Sequence, residues 1–500
     1  MNGKSVGDRE HKAPSIRKNY AYNLIYQVMA LLTPFITTPY ISRVLGADGV
    51  GVQSYTNSVA QYFIIFAALG TASYGQREIA RNRDDRRARS RIFWEIELLC
   101  AGTTALCVII WGAVIGMSEE YAPFYAVLTM NIIAVAFDIS WFFGGLERYG
   151  VIALRNIMFK LLCIVMMFLL VRRREDLLIY MGLIAATTLL GNLSMWGALR
   201  GEIERPCLRE IRPWRHLKET LVYFVPTIAT SVYTMLDKTM LGWYTGESKT
   251  QNGYYEYATG FINMAKVLIL SFNAVMSARM SYLFAEENRG EIREKLKGAL
   301  DFVLFLAIPM VFGMAAIAPD FVPWFLGAGY EPVVTLMYVC CPLILIVGLS
   351  DYMGSQILTP AGRRAESGKV IVAGAAFNFA LNLVLIPRFK AMGAAAASVM
   401  AEIFITSMYF RLSRDYLKLS WLILPGLKRL AAAFVMYVAV VRLGALLTGI
   451  HASLLTALEI GVGTAVYFAL LCILRDDFLL SRKGFALRAG NERTGEQDGE

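Results

Sequence analysis

The chain has 500 residues, of which 56% are hydrophobic and 18% are charged, and its mean hydropathy is +0.49. Soluble domains carry about a quarter charged residues, so this composition excludes an ordinary soluble domain and indicates a membrane protein. The net charge of +10 would suggest nucleic-acid binding in a soluble chain, but here the distribution of loop charges explains it, and no nucleic-acid partner is expected.

Apolar stretches long enough to cross a bilayer follow one another along almost the whole chain. A transmembrane helix needs about 20 mainly apolar residues. The sequence therefore predicts an all-α integral membrane protein with about 14 transmembrane helices. The predicted spans lie near residues 19–41, 50–75, 92–117, 121–143, 151–171, 176–199, 220–244, 252–278, 298–318, 333–359, 369–387, 391–412, 426–446 and 452–474.

The connections between the predicted helices alternate between basic and weakly charged segments. With the N-terminus placed in the cytoplasm, the inner segments hold 38 Lys and Arg residues and the outer segments hold 8. Basic loops stay on the cytoplasmic side of a membrane, so we expect a bacterial inner-membrane protein with both termini cytoplasmic. The arginines at 172–174 are an exception. The first apolar run has no cleavage site after it and is expected to be retained.

The longest polar connection inside the chain, residues 200–219, separates six predicted helices from eight. We interpret it as a cytoplasmic hinge loop between two helical bundles. The predicted organisation is a cytoplasmic tail at 1–18, an N-terminal bundle at 19–199, the hinge loop at 200–219, a second bundle at 220–412, a C-terminal helix pair at 413–474 and a cytoplasmic tail at 475–500.

A short internal repeat indicates that the two bundles are pseudo-symmetric. In each, a first helix ends in Leu-Gly, and Gly-x-x-x-Tyr opens the next helix after a polar turn. Parallel repeats of this kind are typical of transporters. The matching residues are Leu45, Gly46, Gly51 and Tyr55 in the first bundle and Leu241, Gly242, Gly253 and Tyr257 in the second.

Motifs for soluble chemistry are missing from the sequence. Three histidines, His11, His216 and His451, cannot form a His-Glu-x-x-His zinc site, and no Asp-x-Asp occurs. Residues 362–369 resemble a phosphate loop, but the spacing is one residue too long and no Ser or Thr follows the lysine. We expect a transporter rather than an enzyme, without catalytic residues, metal or cofactor.

Ionisable residues inside a membrane are costly and usually face a cavity or a partner. Asp237 and Lys238 are adjacent on one helix, about 100° apart, so they cannot pair well with each other. The alternative for each candidate is an interhelical ion pair, and for Arg43 an interfacial position. The candidate cavity residues are Arg43, Lys160, Asp237, Lys238 and Lys266.

Two acidic residues, Asp138 and Glu402, are candidates for ion coupling or for pairing with the buried lysines. Exchange of H⁺ or Na⁺ at such a carboxylate could bias a transport cycle, as could the membrane potential. Asp351 and Glu459 also lie within predicted spans, but no function is assigned to them. Five prolines inside four of the spans kink their helices, which favours a moving transporter: Pro34, Pro39, Pro226, Pro309 and Pro342.

Several short motifs resemble one family of membrane proteins. They are KNYAYN at 18–23, TTPYISRVLGADGVG at 37–51, GQREIA at 75–80, LDKTMLG at 236–242, NFALNLVLIP at 378–387 and GAAAAS at 393–398 followed by Glu402. In order and spacing they resemble the bacterial polysaccharide-biosynthesis flippases, which export O-antigen and exopolysaccharide repeat units. These belong to the multidrug/oligosaccharidyl-lipid/polysaccharide (MOP) exporter superfamily. The resemblance runs from about residue 15 to residue 475.

The resemblance implies a MATE-like, V-shaped pair of bundles that works by alternating access without ATP. It implies a substrate of undecaprenyl-pyrophosphate-linked oligosaccharide, moved from the inner to the outer leaflet, with the basic cavity residues holding the pyrophosphate. It also implies contact with membrane lipid, a polysaccharide polymerase and chain-length machinery. Three alternatives remain open: a lipid II flippase, a multidrug cation antiporter and, from another class, a membrane polysaccharide polymerase.

Overall fold

A computed structural model describes residues 16–204, 209–246, 248–447 and 449–480. Within these ranges the chain is helical and contains no strand, which confirms the predicted all-α class. Large apolar side chains such as Ile109, Met117 and Val275 are exposed. Patches of this kind need a covering partner, and lipid is the partner of helices that cross a bilayer. Residues 1–15 of the predicted N-terminal tail at 1–18 and residues 481–500 of the predicted C-terminal tail at 475–500 lie outside the described residues.

The helices follow one another with short connections. A π-helical turn, Gly354–Leu358, extends the twelfth helix. The α-helices are α1 (Ile16–Ala68), α2 (Thr71–Arg81), α3 (Arg86–Met117), α4 (Ala122–Val135), α5 (Ser140–Gly145), α6 (Tyr149–Leu170), α7 (Leu177–Trp196), α8 (Leu217–Tyr244), α9 (Thr250–Ala285), α10 (Arg289–Leu326), α11 (Glu331–Cys340), α12 (Pro342–Met353), α13 (Arg364–Leu412), α14 (Leu419–Leu446), α15 (Ala452–Ile473) and α16 (Asp477–Leu480).

Eleven helical segments in the described ranges are long and apolar enough to cross a membrane. Two of them, Gln27–Arg81 and Arg364–Leu412, each contain two of the predicted spans. The predicted span at 220–244 forms α8, which is not among the eleven. The chain is therefore a multi-pass membrane protein, and the number of 14 stays a prediction.

Backbone breaks divide the two longest helices. In α1 the break is at Gly46, with φ 71° and ψ 174°, a left-handed conformation that glycine adopts without steric cost. In α13 it is at Lys390, with φ 51° and ψ −128°, which is unusual for a residue with a Cβ atom. Both breaks lie in gaps between predicted spans, so the two long helices turn where the apolar pattern is interrupted.

Contacts divide the chain into two compact units. The first unit comprises Met1–Thr38 and Thr56–Ser231, and the second comprises Pro39–Tyr55 and Val232–Glu500. Helices α1 and α8 therefore contribute residues to both units. The domain boundaries predicted from the sequence stay predictions.

In the first unit, an aromatic cluster lies where α2, α3 and α5 pack together. The ring of Phe93 stacks on Trp141 at 5.6 Å and meets Phe142 edge-on at 5.1 Å. Trp141 also covers Gly75, where a Cβ atom would lie only 2.5 Å from the ring. The small residue thus allows α2 and α5 to approach closely.

Polar side chains of the connector at 200–219 form hydrogen bonds with other residues of the first unit. Glu202 accepts hydrogen bonds from Arg148 at 2.7 Å and from Arg89 at 3.3 Å. Farther along, His216 is bonded to Glu95 at 2.9 Å and to the hydroxyl of Tyr74 at 2.8 Å. Glu95 is fully buried, so these contacts hold the described part of the connector against α2 and α3.

In the second unit, α10 packs against α9, α12, α14 and α15. The predicted C-terminal helix pair thus belongs to the same compact unit as α10. A buried ion-pair group joins them, because Arg429 of α14 binds Asp476 at 3.0 Å and Asp301 of α10 at 3.5 Å.

Candidate functional site

The predicted repeat residues Gly51 and Gly253 lie at a crossing of α1 and α9 within the second unit. A Cβ atom on Gly51 would lie 1.8 Å from the carbonyl oxygen of Lys249, and one on Gly253 would lie 2.0 Å from that of Ala47. Only glycine permits this approach, since real Cβ atoms cannot come so close to a backbone oxygen. The crossing brings α1 residues into contact with α8 and α9.

Lys238 of α8 forms an ion pair with Glu256 of α9, with 2.6 Å between Nζ and Oε2. The hydroxyl of Ser54, on α1, donates a hydrogen bond to the same carboxylate. The side chains of Lys238 and Glu256 are 26% and 35% exposed, so the pair is not sealed from its surroundings. An anion that reached Lys238 could take the place of the Glu256 carboxylate.

Asp237, the neighbour of Lys238, is 4% exposed and is held by neutral donors. Tyr255 donates to it at 2.8 Å, Asn382 donates at 2.6 Å, and the hydroxyl of Ser398 donates as well. No ion pair involves Asp237 in the described part of the chain. The two adjacent residues thus have separate partners, as predicted from their positions on the helix.

The polar group around Asp237 has unused hydrogen-bonding capacity. Asn382 donates to Asn378 at 3.0 Å. Among the described residues, however, Oδ1 of Asn382 and Nδ2 of Asn378 find no hydrogen-bond partner. Both side chains are fully buried. Buried polar atoms without partners are costly, and the side chain of Asn378 also interacts with Asp237, so the amide groups of this cluster can rearrange around the carboxylate.

Lys266 and Arg43 also belong to the second unit. Lys266, on α9, is half-buried and lies within electrostatic range of Glu402 on α13. Arg43 is exposed and donates to the carbonyl oxygens of Pro39, at 3.1 Å, and of Trp324. Lys266 therefore has an acidic neighbour, whereas Arg43 joins α1 to the end of α10.

Lys160 and Asp138 belong to the first unit. Lys160 is half-buried on α6. Asp138 accepts a hydrogen bond from the backbone N–H of Ser140 at 3.0 Å, in the short connection between α4 and α5. It also interacts electrostatically with Glu97 of α3, which is 5% exposed. Asp138 therefore has a second carboxyl group as its neighbour.

Several of these partners are not among the residues predicted from the sequence. Glu256 and Glu97 lie inside predicted spans, and an acidic residue in an apolar run was a usable signal for both. Asn382 and Ser398 carry no charge, so only the folded arrangement shows that they surround Asp237.

Comparison with known proteins gives three findings. The family model described as polysaccharide biosynthesis protein matches residues 16–283. A protein of Escherichia coli (strain K12) named "Putative O-antigen transporter" is 22% identical over 415 residues, which cover 80% of this chain and 97% of that protein.

The third finding is that two solved structures have similar folds. The lipid II flippase MurJ in an inward closed conformation matches with a TM-score of 0.69 and 13% identity, over 92% of this chain and 100% of that one. A MATE in complex with MaL6 matches with a TM-score of 0.52 and 13% identity, over 80% and 96%. These likenesses confirm the MATE-like fold class predicted from the sequence.

Proposed function

The chain belongs to the polysaccharide biosynthesis protein family, and from this premise we propose that it is a flippase for lipid-linked oligosaccharides. Its substrate would be an undecaprenyl-pyrophosphate-linked repeat unit, moved from the cytoplasmic to the outer leaflet of the inner membrane. The observation that carries the proposal is the family match over residues 16–283. The similarity to the E. coli relative over 80% of the chain supports it.

The basic residues of the second unit are suited to a pyrophosphate. Lys238 forms an ion pair with Glu256 at 2.6 Å, and Lys266 lies within electrostatic range of Glu402. Each lysine thus has one carboxylate as a neighbour. A pyrophosphate carries more negative charge than a carboxylate, so it would displace Glu256 from Lys238. Lys160 is the further candidate in the first unit, and Arg43 in the second.

Alternating access would require α1 and α8 to bend, because each contributes residues to both units. Proline removes a backbone hydrogen bond and weakens a helix at that point. Pro34 and Pro39 lie close to the point where α1 passes between units, after residue 38. Pro226 lies on α8 shortly before the division at 231. These positions support a cycle in which the two units move relative to each other.

The cycle would run without ATP and would be driven by H⁺, Na⁺ or the membrane potential. Asp138 beside Glu97 and Glu402 beside Lys266 are the proposed coupling groups. Both termini would lie in the cytoplasm. The exported unit would pass to a polysaccharide polymerase and its chain-length machinery on the outer side. The membrane lipid would accommodate the polyprenyl tail throughout.

A lipid II flippase is the second candidate, favoured by the TM-score of 0.69 to MurJ. It would share the polyprenyl pyrophosphate and differ in the glycan. An antiporter and a polymerase have less support. A multidrug cation antiporter would need an acidic cavity, and the lysines oppose this. A membrane polymerase would need a large outer loop, whereas the connection after α10 is only residues 327–330.

Deletion of the gene tests the proposal. The expected result is loss of surface polysaccharide and accumulation of undecaprenyl-linked repeat units on the cytoplasmic face of the inner membrane. The wild-type gene restores both. Normal surface polysaccharide with a block in peptidoglycan synthesis would favour the lipid II flippase, and repeat units that reach the outer face unpolymerised would favour a polymerase.

A further inference from the structure

A second acidic site lies in the second unit, and it includes Glu459, to which the sequence assigned no function. Asp320 of α10 and Glu459 of α15 both point at Gly444 of α14. Oε1 of Glu459 would lie 2.8 Å, and Oδ2 of Asp320 3.0 Å, from a Cβ atom placed on that glycine. The absence of a side chain at Gly444 thus leaves room for two carboxyl groups, which we call the carboxyl pair.

The carboxyl group of Glu459 is buried, and no hydrogen-bond donor among the described residues offsets the loss of its contact with water. The residue is 0% exposed, and neither of its carboxyl oxygens has a hydrogen-bond partner in the described ranges. A buried ionised carboxylate without a partner is very unfavourable, and a second carboxylate beside it makes ionisation of both more unfavourable still. Glu459 nevertheless interacts electrostatically with a second carboxyl group, that of the half-buried Asp320.

In the described part of the chain, no ion pair reaches either carboxyl group of the pair. On α14, Arg442 is exposed and makes no ion pair in the part of the chain that the structure describes. On α11, Tyr338 interacts electrostatically with Asp320 and with Tyr437 of α14, and a phenol cannot act as a cation. At the start of α15, His451 is exposed and hydrogen-bonded to Ser453 at 2.8 Å.

We propose that Asp320 and Glu459 bind one proton between them and exchange it with solvent. The proton comes from hydronium, leaving water, and forms an O–H bond on one carboxyl group. That group then donates a hydrogen bond to the other carboxylate. One proton removes one of two like charges and supplies the missing donor, so both problems of the buried pair are solved together.

An alkali cation fits this site less well than a proton, because it needs several further oxygen ligands. One turn away on α15, Thr456 already donates to the carbonyl oxygen of Ala452 and accepts from Trp324, both at 3.0 Å. Asp320 is the one charged group that acts on Glu459 among the described residues. The carboxyl pair alone is sufficient for a proton.

The carboxyl pair lies next to a contact that joins three helices, so binding or loss of the proton can move them. Asp320 is one turn from Trp324. The indole N–H of Trp324 donates to Thr456 of α15, and its carbonyl oxygen accepts from Arg43 of α1. Loss of the shared proton would leave two adjacent negative charges and push α15 away from α10. A role of this movement in transport rests on the proposed function, whereas proton binding itself does not.

Infrared difference spectroscopy of the full-length protein in lipid nanodiscs tests proton binding directly. Acidification of the wild type should produce the C=O band of one protonated carboxyl group. The band should be lost in Glu459→Gln, because the buried carboxyl group is removed. In Asp320→Asn it should appear only at lower pH, because the neighbouring negative charge is gone and the amide can donate to Glu459. It should be unchanged in the control Glu119→Gln, since Glu119 is an exposed carboxylate between α3 and α4. A band that persists in Glu459→Gln, or that titrates identically in Asp320→Asn and the wild type, would overturn the shared proton. So would a band that responds to Na⁺ rather than to pH.

A third variant covers the case in which the amide variants do not fold. Gly444→Ala keeps both carboxyl groups but places a methyl group within 3.0 Å of an oxygen of each. The C=O band should therefore shift in frequency and should appear at a different pH. An unchanged band would overturn the proposal. Glycan export measured in the same variants separates the two claims: a proton band without glycan export in the wild type would refute the proposed function only.

Discussion

Removal of Lys238 tests whether the ion pair with Glu256 holds the substrate or only the fold. Hydrogen bonds to charged groups contribute about 1.5–3 kcal/mol, and about 1.4 kcal/mol corresponds to a tenfold change in affinity. If Lys238 binds the pyrophosphate, Lys238→Ala should therefore weaken binding about 10- to 100-fold. Lys238→Arg keeps the charge and should lose less.

The variant Glu256→Gln separates the two roles of Lys238. It removes the competing carboxylate, which lies 2.6 Å from Nζ, and leaves an uncharged side chain that Ser54 can still reach. Binding of the pyrophosphate should be kept or strengthened in this variant. Adding Lys238→Ala in the same background should again weaken binding about 10- to 100-fold, by the same free-energy difference.

The assay is equilibrium binding of labelled undecaprenyl pyrophosphate to the purified protein in nanodiscs, with undecaprenol as the uncharged control lipid. Insertion and thermal unfolding of each variant are measured alongside. If the pair is purely structural, Lys238→Ala and Glu256→Gln should lower binding equally and the double variant should add nothing. That result would refute the reasoning.

Three further perturbations have expected outcomes. Gly51→Ala places a methyl group 1.8 Å from a backbone oxygen and should lower the thermal unfolding temperature and abolish complementation. Gly260→Ala on α9, with no atom within 4 Å, should be neutral or slightly stabilising, and equal behaviour of the two variants would contradict the close crossing. Asp237→Ala leaves three donors without their acceptor, at about 1–3 kcal/mol each. It should therefore unfold at clearly lower temperature than Asp237→Asn, and a smaller loss would contradict the described hydrogen bonds. Arg429→Ala leaves the buried Asp476 unpaired and should cost about 3–5 kcal/mol of stability, measured by unfolding in detergent. A change below about 1 kcal/mol would show that the pair is solvated.

The fold class could be predicted because apolar run length and loop charge are local properties of the sequence. The break at Gly46 coincides with a Leu-Gly pair that the repeat had identified, and glycine is the residue for that conformation. The break at Lys390 coincides with a short polar gap, but no local rule predicts a positive φ angle at a lysine. The sequence thus indicated where the long helices turn and not how.

The partners of the charged residues could not be predicted, because they are distant in the chain. Asn382 lies 145 residues from Asp237, and Ser398 lies 161 residues from it. Which helices adjoin depends on packing, and several arrangements satisfy the same hydropathy pattern. The sequence analysis identified the residues that carry charge, and the structure identified Glu256 and Glu402 as the acidic neighbours of Lys238 and Lys266.

Polar loops were also harder to interpret than apolar spans. Residues 200–219 were interpreted as a hinge because they are polar and contain two prolines. Their charged groups nevertheless bond to the first unit, through Glu202 with Arg89 and Arg148 and through His216 with Glu95. A charged loop can be exposed or bound to a buried partner, and composition does not distinguish these cases.

Translocation in reconstituted liposomes tests the central claim most directly. Purified protein is placed in vesicles with a fluorescent undecaprenyl-pyrophosphate-linked oligosaccharide, and a membrane-impermeant quencher reports the fraction in the outer leaflet over time. The wild type should equilibrate the lipid between leaflets without ATP, and Lys238→Ala should slow this by at least about tenfold, as expected for loss of one charged contact. Equilibration no faster than in protein-free vesicles would show that the protein is not a flippase for this lipid.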